Sequence, residues 1–239
     1  MLPTISFPQA SLALAVVAST IGSFVALSPP NQSTNPTPST GDSIRRLNLA
    51  GGHFRAIIFA PLGFLTLHTS SLILLQPQIP PAILRHGAQN GLNIQLVTWS
   101  PATSVPLALM ILDGIPLRLV SYSSLGKNFT FTLTKPDALK TDGVYHYIQH
   151  PGYTGLLIIA ACSTALLARI DGVLGCWIPP RWYPTLRVLE LVLAPIGISV
   201  FMFGIWTRVR QEERMLRAEF GINWENWHAR TARFIPWIF

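Results

Sequence analysis

The sequence predicts an all-α, polytopic integral membrane protein with about five transmembrane helices. Three observations predict it: 49% of the 239 residues are hydrophobic, only 11% are charged, and the mean hydropathy is +0.40. A soluble domain carries about 25% charged residues, so this surface is too poor in charge to face water all round. The apolar residues also gather into long runs, and a bilayer-spanning helix needs about 20 of them.

In chain order, the runs that predict spans are Phe7–Ser28, His53–Leu75, Ile94–Val120, Tyr153–Ile170 and Pro184–Trp206. The first lacks the positively charged start of a cleaved signal peptide and is read as an uncleaved span. The second contains His68, and a polar residue inside a span is costly and marks an internal contact. The third carries Asp113 and several prolines, and the fourth is short. Pro61, Pro106 and Pro195 are tolerable in membrane helices whose neighbours re-satisfy the freed backbone groups.

Polar segments separate the runs. Pro29–Ser43 is rich in Pro, Ser and Thr and is expected to be a flexible connector. Gln76–Gly91, Leu125–Pro151 and Ile170–Tyr183 are the later loops, and a charged segment follows Trp206. The chain accordingly divides into an N-terminal transmembrane region, 1–120, and a core of 121–239. With five spans, Arg45, Arg46, Arg118, Lys127, Lys135, Lys140 and the arginines after Trp206 share one side, whereas Arg85, Arg169, Arg181 and Arg187 lie on the other. The basic side is expected to be cytosolic, with the N-terminus lumenal or outside.

The net charge of +7 does not point to nucleic acid, because the basic residues sit between apolar spans and form no patch with interleaved aromatics. Cys162 and Cys176 make neither a disulfide framework nor a metal motif. The histidines His53, His68, His86, His146 and His228 lack metal-ligand spacing, so no metal is expected.

Two segments carry chemistry. In LKTDGVYHYIQHPGYTG, Leu139 to Gly155, Gly143 can open a turn that other residues do not adopt. Pro151 pushes His150 out of helical geometry and suits the first position of a helix. Free N–H groups at such a helix start bind carboxylates, and Tyr145, Tyr147 and Tyr153 offer ring faces to a cation. The same pattern also fits an interfacial aromatic belt that holds no ligand. In RVRQEERMLRAEFG, Arg208 to Gly221, Arg208 and Glu212 share a helix face, as do Glu213 and Arg217. An Arg there can hold a carboxylate in a bidentate fork. The plain alternative is a set of surface ion pairs, which are worth little.

Together, L-x-x-x-G-V-Y-x-Y-x-x-H-P-x-Y-x-G, a short membrane hairpin, and R-x-x-x-E-E-x-x-L-x-x-x-F-G-x-x-W resemble the isoprenylcysteine carboxyl methyltransferase family, over Leu125 to Phe239. The H-P-x-Y element is also similar to one in membrane phospholipid methyltransferases, and Arg208 with Glu212 points to the carboxyl methyltransferases. Where the family usually has Arg before the His-Pro, this chain has Gln149.

The resemblance implies a helical hairpin over which a C-terminal catalytic segment closes, and S-adenosylmethionine as cofactor. It implies that His150, Pro151, Gly152 and Tyr153 bind the cofactor, with Tyr145 and the segment Asp137, Ala138, Leu139, Lys140 closing over it. Arg208 and Glu212 would contact the acceptor, the C-terminal carboxylate of isoprenylated cysteine, at the endoplasmic reticulum with the site facing the cytosol. The expected partners are a prenylated protein C-terminus and membrane lipids. Other readings are a methyltransferase for a small lipophilic acid, a phospholipid N-methyltransferase, and a membrane scaffold that has lost catalysis.

Overall fold

A computed structural model describes residues 5–28, 42–46 and 51–236. Most of the expected connector, residues 29–41, lies outside the described residues. In chain order the helices are α1 (Phe7–Ala26), α2 (Ser43–Arg46), α3 (Gly52–Leu74), α4 (Pro81–Leu84), α5 (Pro101–Ala108), α6 (Ile115–Leu125), α7 (Pro151–Leu167), α8 (Tyr183–Phe220) and α9 (Ile222–His228). A π-helical stretch, Leu109–Gly114, joins α5 to α6. Among the described residues there is no strand; a single isolated bridge pairs Ile148 with Ala232.

The all-α membrane architecture is as the composition requires. Among the described residues, four stretches are long and apolar enough to cross a bilayer: α1, most of α3, Ile94–Asn128 and α8. The fourth expected span, α7, has 17 residues and is the shorter apolar helix its sequence suggests. The sequence boundaries shift in two places. The third span begins its α-helix only at Pro101, where Ser100 caps the first turn by accepting from Ala102 N, and Thr103 caps it reciprocally. The helix of the fifth span, α8, continues beyond the expected span end at Trp206: it runs 38 residues to Phe220, because nothing before Gly221 breaks it. Gly221 ends it at φ +51°, a conformation that costs a glycine little.

The chain forms two compact units. The first comprises Met1–Val25, Ile57–Asp113 and Ile158–Gly197. Its core holds Leu12, Val16, Leu72, Ile73, Val97 and Ile159, all nearly inaccessible. His68 has the internal contact its position demands. Trp177 donates Nε1–H to His68 Nδ1 at 2.7 Å, so His68 Nε2 carries the proton and faces the Ile83 carbonyl at 2.8 Å. Arg85 stacks on the Trp177 ring at 3.8 Å. Both cysteines are free and buried.

The second unit comprises Ala26–Ala56, Gly114–Leu157 and Ile198–Phe239. Here α6 and α7 approach closely at Gly155, where an added Cβ would meet the Gly114 carbonyl oxygen at 2.7 Å and Arg118 N at 3.1 Å. The buried Arg118 donates to the Ala26 carbonyl at 3.1 Å and to that of Gly152 at 3.0 Å. Rings of Tyr122, Phe129 and Phe131 surround its guanidinium at 5.2–5.5 Å. Tyr145, Trp224 and Trp227 form a buried aromatic cluster, which Leu125, Leu139, Val144, Leu216 and Phe220 flank.

Candidate active site

All the polar residues singled out by the two motifs belong to the second unit. The loop before α7 turns at Gly143, whose φ is +60°, and passes through a 3-10 turn, Gly143–His146. α7 begins at Pro151, as the rigid ring favours. The C-terminal segment then lies along this loop. Gln149 N donates to the Ala232 carbonyl at 2.8 Å, and His150 N to that of Arg233 at 3.0 Å. Thr154 Oγ1 donates to the Phe234 carbonyl at 2.8 Å. The stretch after α9 therefore folds onto the first motif.

A chain of polar contacts crosses between the two motifs. Tyr153, in the first turn of α7, donates its hydroxyl proton to Glu212 Oε2 at 3.0 Å. The Tyr153 hydroxyl oxygen itself accepts from Arg208 Nε at 3.2 Å. Arg208 and Glu212 share a face of α8, as their spacing requires, but the Tyr153 hydroxyl bridges them. Arg208 is only 4% exposed. Its Nη2 donates to the Phe131 carbonyl at 2.6 Å, and its Nη1 forms an ion pair with Asp42 Oδ1 at 2.7 Å. Asp42 Oδ2 in turn accepts from Leu133 N at 2.6 Å.

His150 is buried between two carboxylates, 3.6 Å from Glu213 and 3.9 Å from Glu212. Neither of its ring nitrogens makes a hydrogen bond among the described residues. Glu213 is satisfied elsewhere, by Arg233 Nε at 2.8 Å and by Arg210 at 3.5 Å. Arg217, expected near Glu213, instead pairs with Glu225 at 2.8 Å. Tyr145 packs in the aromatic cluster, where its carbonyl accepts from Trp227 Nε1 at 3.0 Å. Burial first, and then the Glu212 charge, push its phenol well above the ordinary tyrosine range.

Of the residues expected from sequence, the structure brings together His150, Pro151, Gly152, Tyr153, Arg208 and Glu212, with Tyr145 beside them. Leu139 joins the aromatic cluster. Asp137, Ala138 and Lys140 are placed differently: Asp137 pairs with Lys127 at 2.8 Å, Ala138 is exposed, and Lys140 pairs with Asp142 at 2.9 Å. Among the described residues, neither Asp137 nor Lys140 bonds to His150, Tyr153, Arg208 or Glu212.

The contacts of two further residues carry no signal in the sequence. Asp42 gives no local signal, since it reaches Arg208 across a separation of 166 residues. Gln149, noted in the sequence only as a departure from the family's Arg, is a buried junction. Its Nε2 donates to the carbonyls of His228 and Thr231, and its Oε1 faces His228 Nδ1 at 2.7 Å.

The donor set suits S-adenosylmethionine in chemistry. Glu212 is a partly exposed carboxylate for a cationic ligand, the tyrosine rings suit a sulfonium, and the unbonded His150 ring offers a donor or acceptor in a dry position. No group of His, Cys, Asp and Glu suited to a metal occurs among the described residues.

Fold and site define a polytopic α-helical membrane protein with a polar cluster built on the start of one helix and the far half of another. Residues 107–176 match the isoprenylcysteine carboxyl methyltransferase (ICMT) family, a stretch that includes His150–Tyr153 and stops before Arg208. Curated relatives from Oryza sativa subspecies indica and japonica, each named "Probable protein-S-isoprenylcysteine O-methyltransferase", are 24% identical over 165 residues, covering 66% of this chain and 73% of each relative. No solved structure matches the chain. The family recognised in the sequence is the one these comparisons support, and the names they carry indicate a methyltransferase.

Proposed function

We propose that the chain is an S-adenosylmethionine-dependent carboxyl O-methyltransferase that acts on the C-terminal carboxylate of isoprenylated cysteine. The observation that carries this reading is the Tyr153 hydroxyl, bonded at once to Arg208 and Glu212, which ties the H-P-x-Y turn to the R-x-x-x-E helix. The same reading puts the protein in the endoplasmic reticulum with this site on the cytosolic face, as the distribution of Lys and Arg favours.

When bound, S-adenosylmethionine supplies an activated methyl group on a sulfonium. His150, Pro151, Gly152 and Tyr153 would hold it, with Glu212 as the countercharge. Arg208 would take the acceptor carboxylate, and the apolar spans its prenyl tail. A terminal carboxyl group has a reference pKa near ~3.5, so it is already the nucleophile at neutral pH. The protein therefore has no proton to remove. Its task is to hold the acceptor in line at roughly 3–3.5 Å and to strip water from the carboxylate. A reaction of this kind calls for no nucleophile–His–acid arrangement.

The test supplies radiolabelled S-adenosylmethionine to the purified full-length protein in lipid vesicles. The acceptors are N-acetyl-S-farnesylcysteine, phosphatidylethanolamine and a set of small lipophilic acids. Label on farnesylcysteine is expected. Label confined to phosphatidylethanolamine or to the small acids would transfer the assignment to one of those classes. No label on any acceptor would leave a scaffold.

A further inference from the structure

The residue proposed to grip the acceptor carboxylate already holds one. Arg208 Nη1 bonds Asp42 Oδ1 at 2.7 Å, with the Asp42 side chain fully buried and Arg208 nearly so. The Asp42 carboxylate is pinned at its other oxygen by Leu133 N. Its neighbour Ser43 docks on the same helix one turn on from Arg208: the hydroxyl donates to Gln211 Oε1 at 2.9 Å, and the backbone N–H at 3.3 Å. An aspartate at the end of a polar connector is thus built into α8 at the place where an acceptor's carboxylate would meet a guanidinium.

We infer that Asp42 is an internal stand-in for the acceptor carboxylate, and that acceptors bind by exchanging with it on Arg208. The inference rests on the proposed role of Arg208. Its physical basis is that a buried guanidinium needs a compensating anion at all times. Without acceptor, Asp42 supplies that anion. With acceptor, the second carboxylate makes the first redundant and like-charged, so Asp42 leaves with Ser43. Small acids then compete poorly against a tethered carboxylate of high effective concentration. A long apolar tail adds the binding energy that drives the exchange. Asp42 on this account is a specificity-determining residue that sets a threshold of lipophilicity for the acceptor.

Two measurements on the full-length protein in phosphatidylcholine vesicles test this. In the first, Asp42→Asn is compared with the unchanged protein for transfer to N-acetyl-S-farnesylcysteine. The acceptor KM is expected to fall about tenfold, with kcat/KM rising in proportion, because a neutral amide is a weaker partner for Arg208 than a carboxylate. A KM that stays or rises, or a kcat that falls at constant KM, overturns the inference and makes Asp42 a positioning counter-ion.

The second measurement does not require Asp42→Asn to fold. Ser43→Cys is labelled with a maleimide, the native Cys162 and Cys176 being buried. Farnesylcysteine should speed labelling of the new thiol several-fold, while S-adenosylmethionine alone should not. Labelling that farnesylcysteine leaves unchanged or slows would overturn the exchange. If the unchanged protein methylates no prenylcysteine at all, the proposed function fails and this inference with it. An active protein that gives either negative result sinks the inference alone.

Discussion

Tyr153 donates its hydroxyl proton to the Glu212 carboxylate at 3.0 Å, across 59 residues of sequence. The contact makes the first turn of α7 and the far half of α8 parts of one polar cluster. Because the same hydroxyl oxygen accepts from Arg208, the tyrosine couples Glu212, proposed above as the cofactor's countercharge, with Arg208, proposed to take the acceptor carboxylate.

Removing that hydroxyl should therefore be felt on both sides. Tyr153→Phe keeps the ring and its packing but leaves Glu212 and Arg208 Nε each short of a partner. A hydrogen bond to a charged group contributes about 1.5–3 kcal/mol, so cofactor Kd should rise by about ten- to a hundredfold. Isothermal titration with S-adenosylmethionine measures it, with the melting temperature as the control for folding. An unchanged Kd would remove Tyr153 from the cofactor's surroundings.

Arg208→Lys keeps a positive charge for Asp42 but loses the planar fork that reaches Phe131, Tyr153 and Asp42 together. Acceptor KM should rise by about one to two orders of magnitude, as expected for loss of a charge-assisted hydrogen bond of about 1.5–3 kcal/mol, while cofactor Kd holds. Steady-state kinetics with farnesylcysteine, read beside cofactor titration, separates the two. Loss of cofactor binding at constant acceptor KM would reverse the assignment of Arg208.

Gln149 makes bonds in a buried position that an arginine could not reproduce. Its Nε2 donates to the carbonyls of His228 and Thr231, and its Oε1 can accept from His228 Nδ1–H. An arginine has no acceptor to offer the histidine. Gln149→Ala should lower stability by about 2–4 kcal/mol through stranded buried polar groups, and Gln149→Arg should also destabilise. Thermal unfolding in detergent reports both, and limited proteolysis should show earlier cleavage within Ala229–Pro236. Wild-type melting for both variants would contradict this role.

Gly155→Ala tests the packing that positions α7. The added methyl would meet backbone atoms of Gly114 and Arg118, which cannot move aside as a flexible side chain would. Overpacking of this kind costs about 1–3 kcal/mol. The melting temperature should fall, whereas Gly63→Ala in α3, whose Cβ would meet nothing within 4 Å, should not lower it. Equal melting of the two variants would argue against a tight helix crossing at Gly155.

Much of this arrangement was legible in the sequence because its causes are local. Hydropathy places the spans, Gly143 and Pro151 mark the turn and helix start, and the four-residue spacing puts Arg208 and Glu212 on one face. Helix ends were less legible: α8 continues past Trp206 because helix formation is indifferent to the change from apolar to charged side chains until Gly221 interrupts it. The partners of Arg208 were not legible at all. Which carboxylate or carbonyl reaches a buried guanidinium depends on tertiary packing, and Asp42 and Phe131 come from segments with no motif. The bonds of Gln149 were not legible for the same reason, since they depend on the His228 and Thr231 groups that packing brings around it.

The central claim is methyl transfer to a carboxylate, and the nature of the labelled bond tests it most directly. Product formed from radiolabelled S-adenosylmethionine and N-acetyl-S-farnesylcysteine is treated with alkali, which hydrolyses a methyl ester and releases labelled methanol. The account predicts that essentially all the transferred label becomes volatile. Transferred label that survives alkali, as on a methylated amine, or an absence of label altogether, would contradict it.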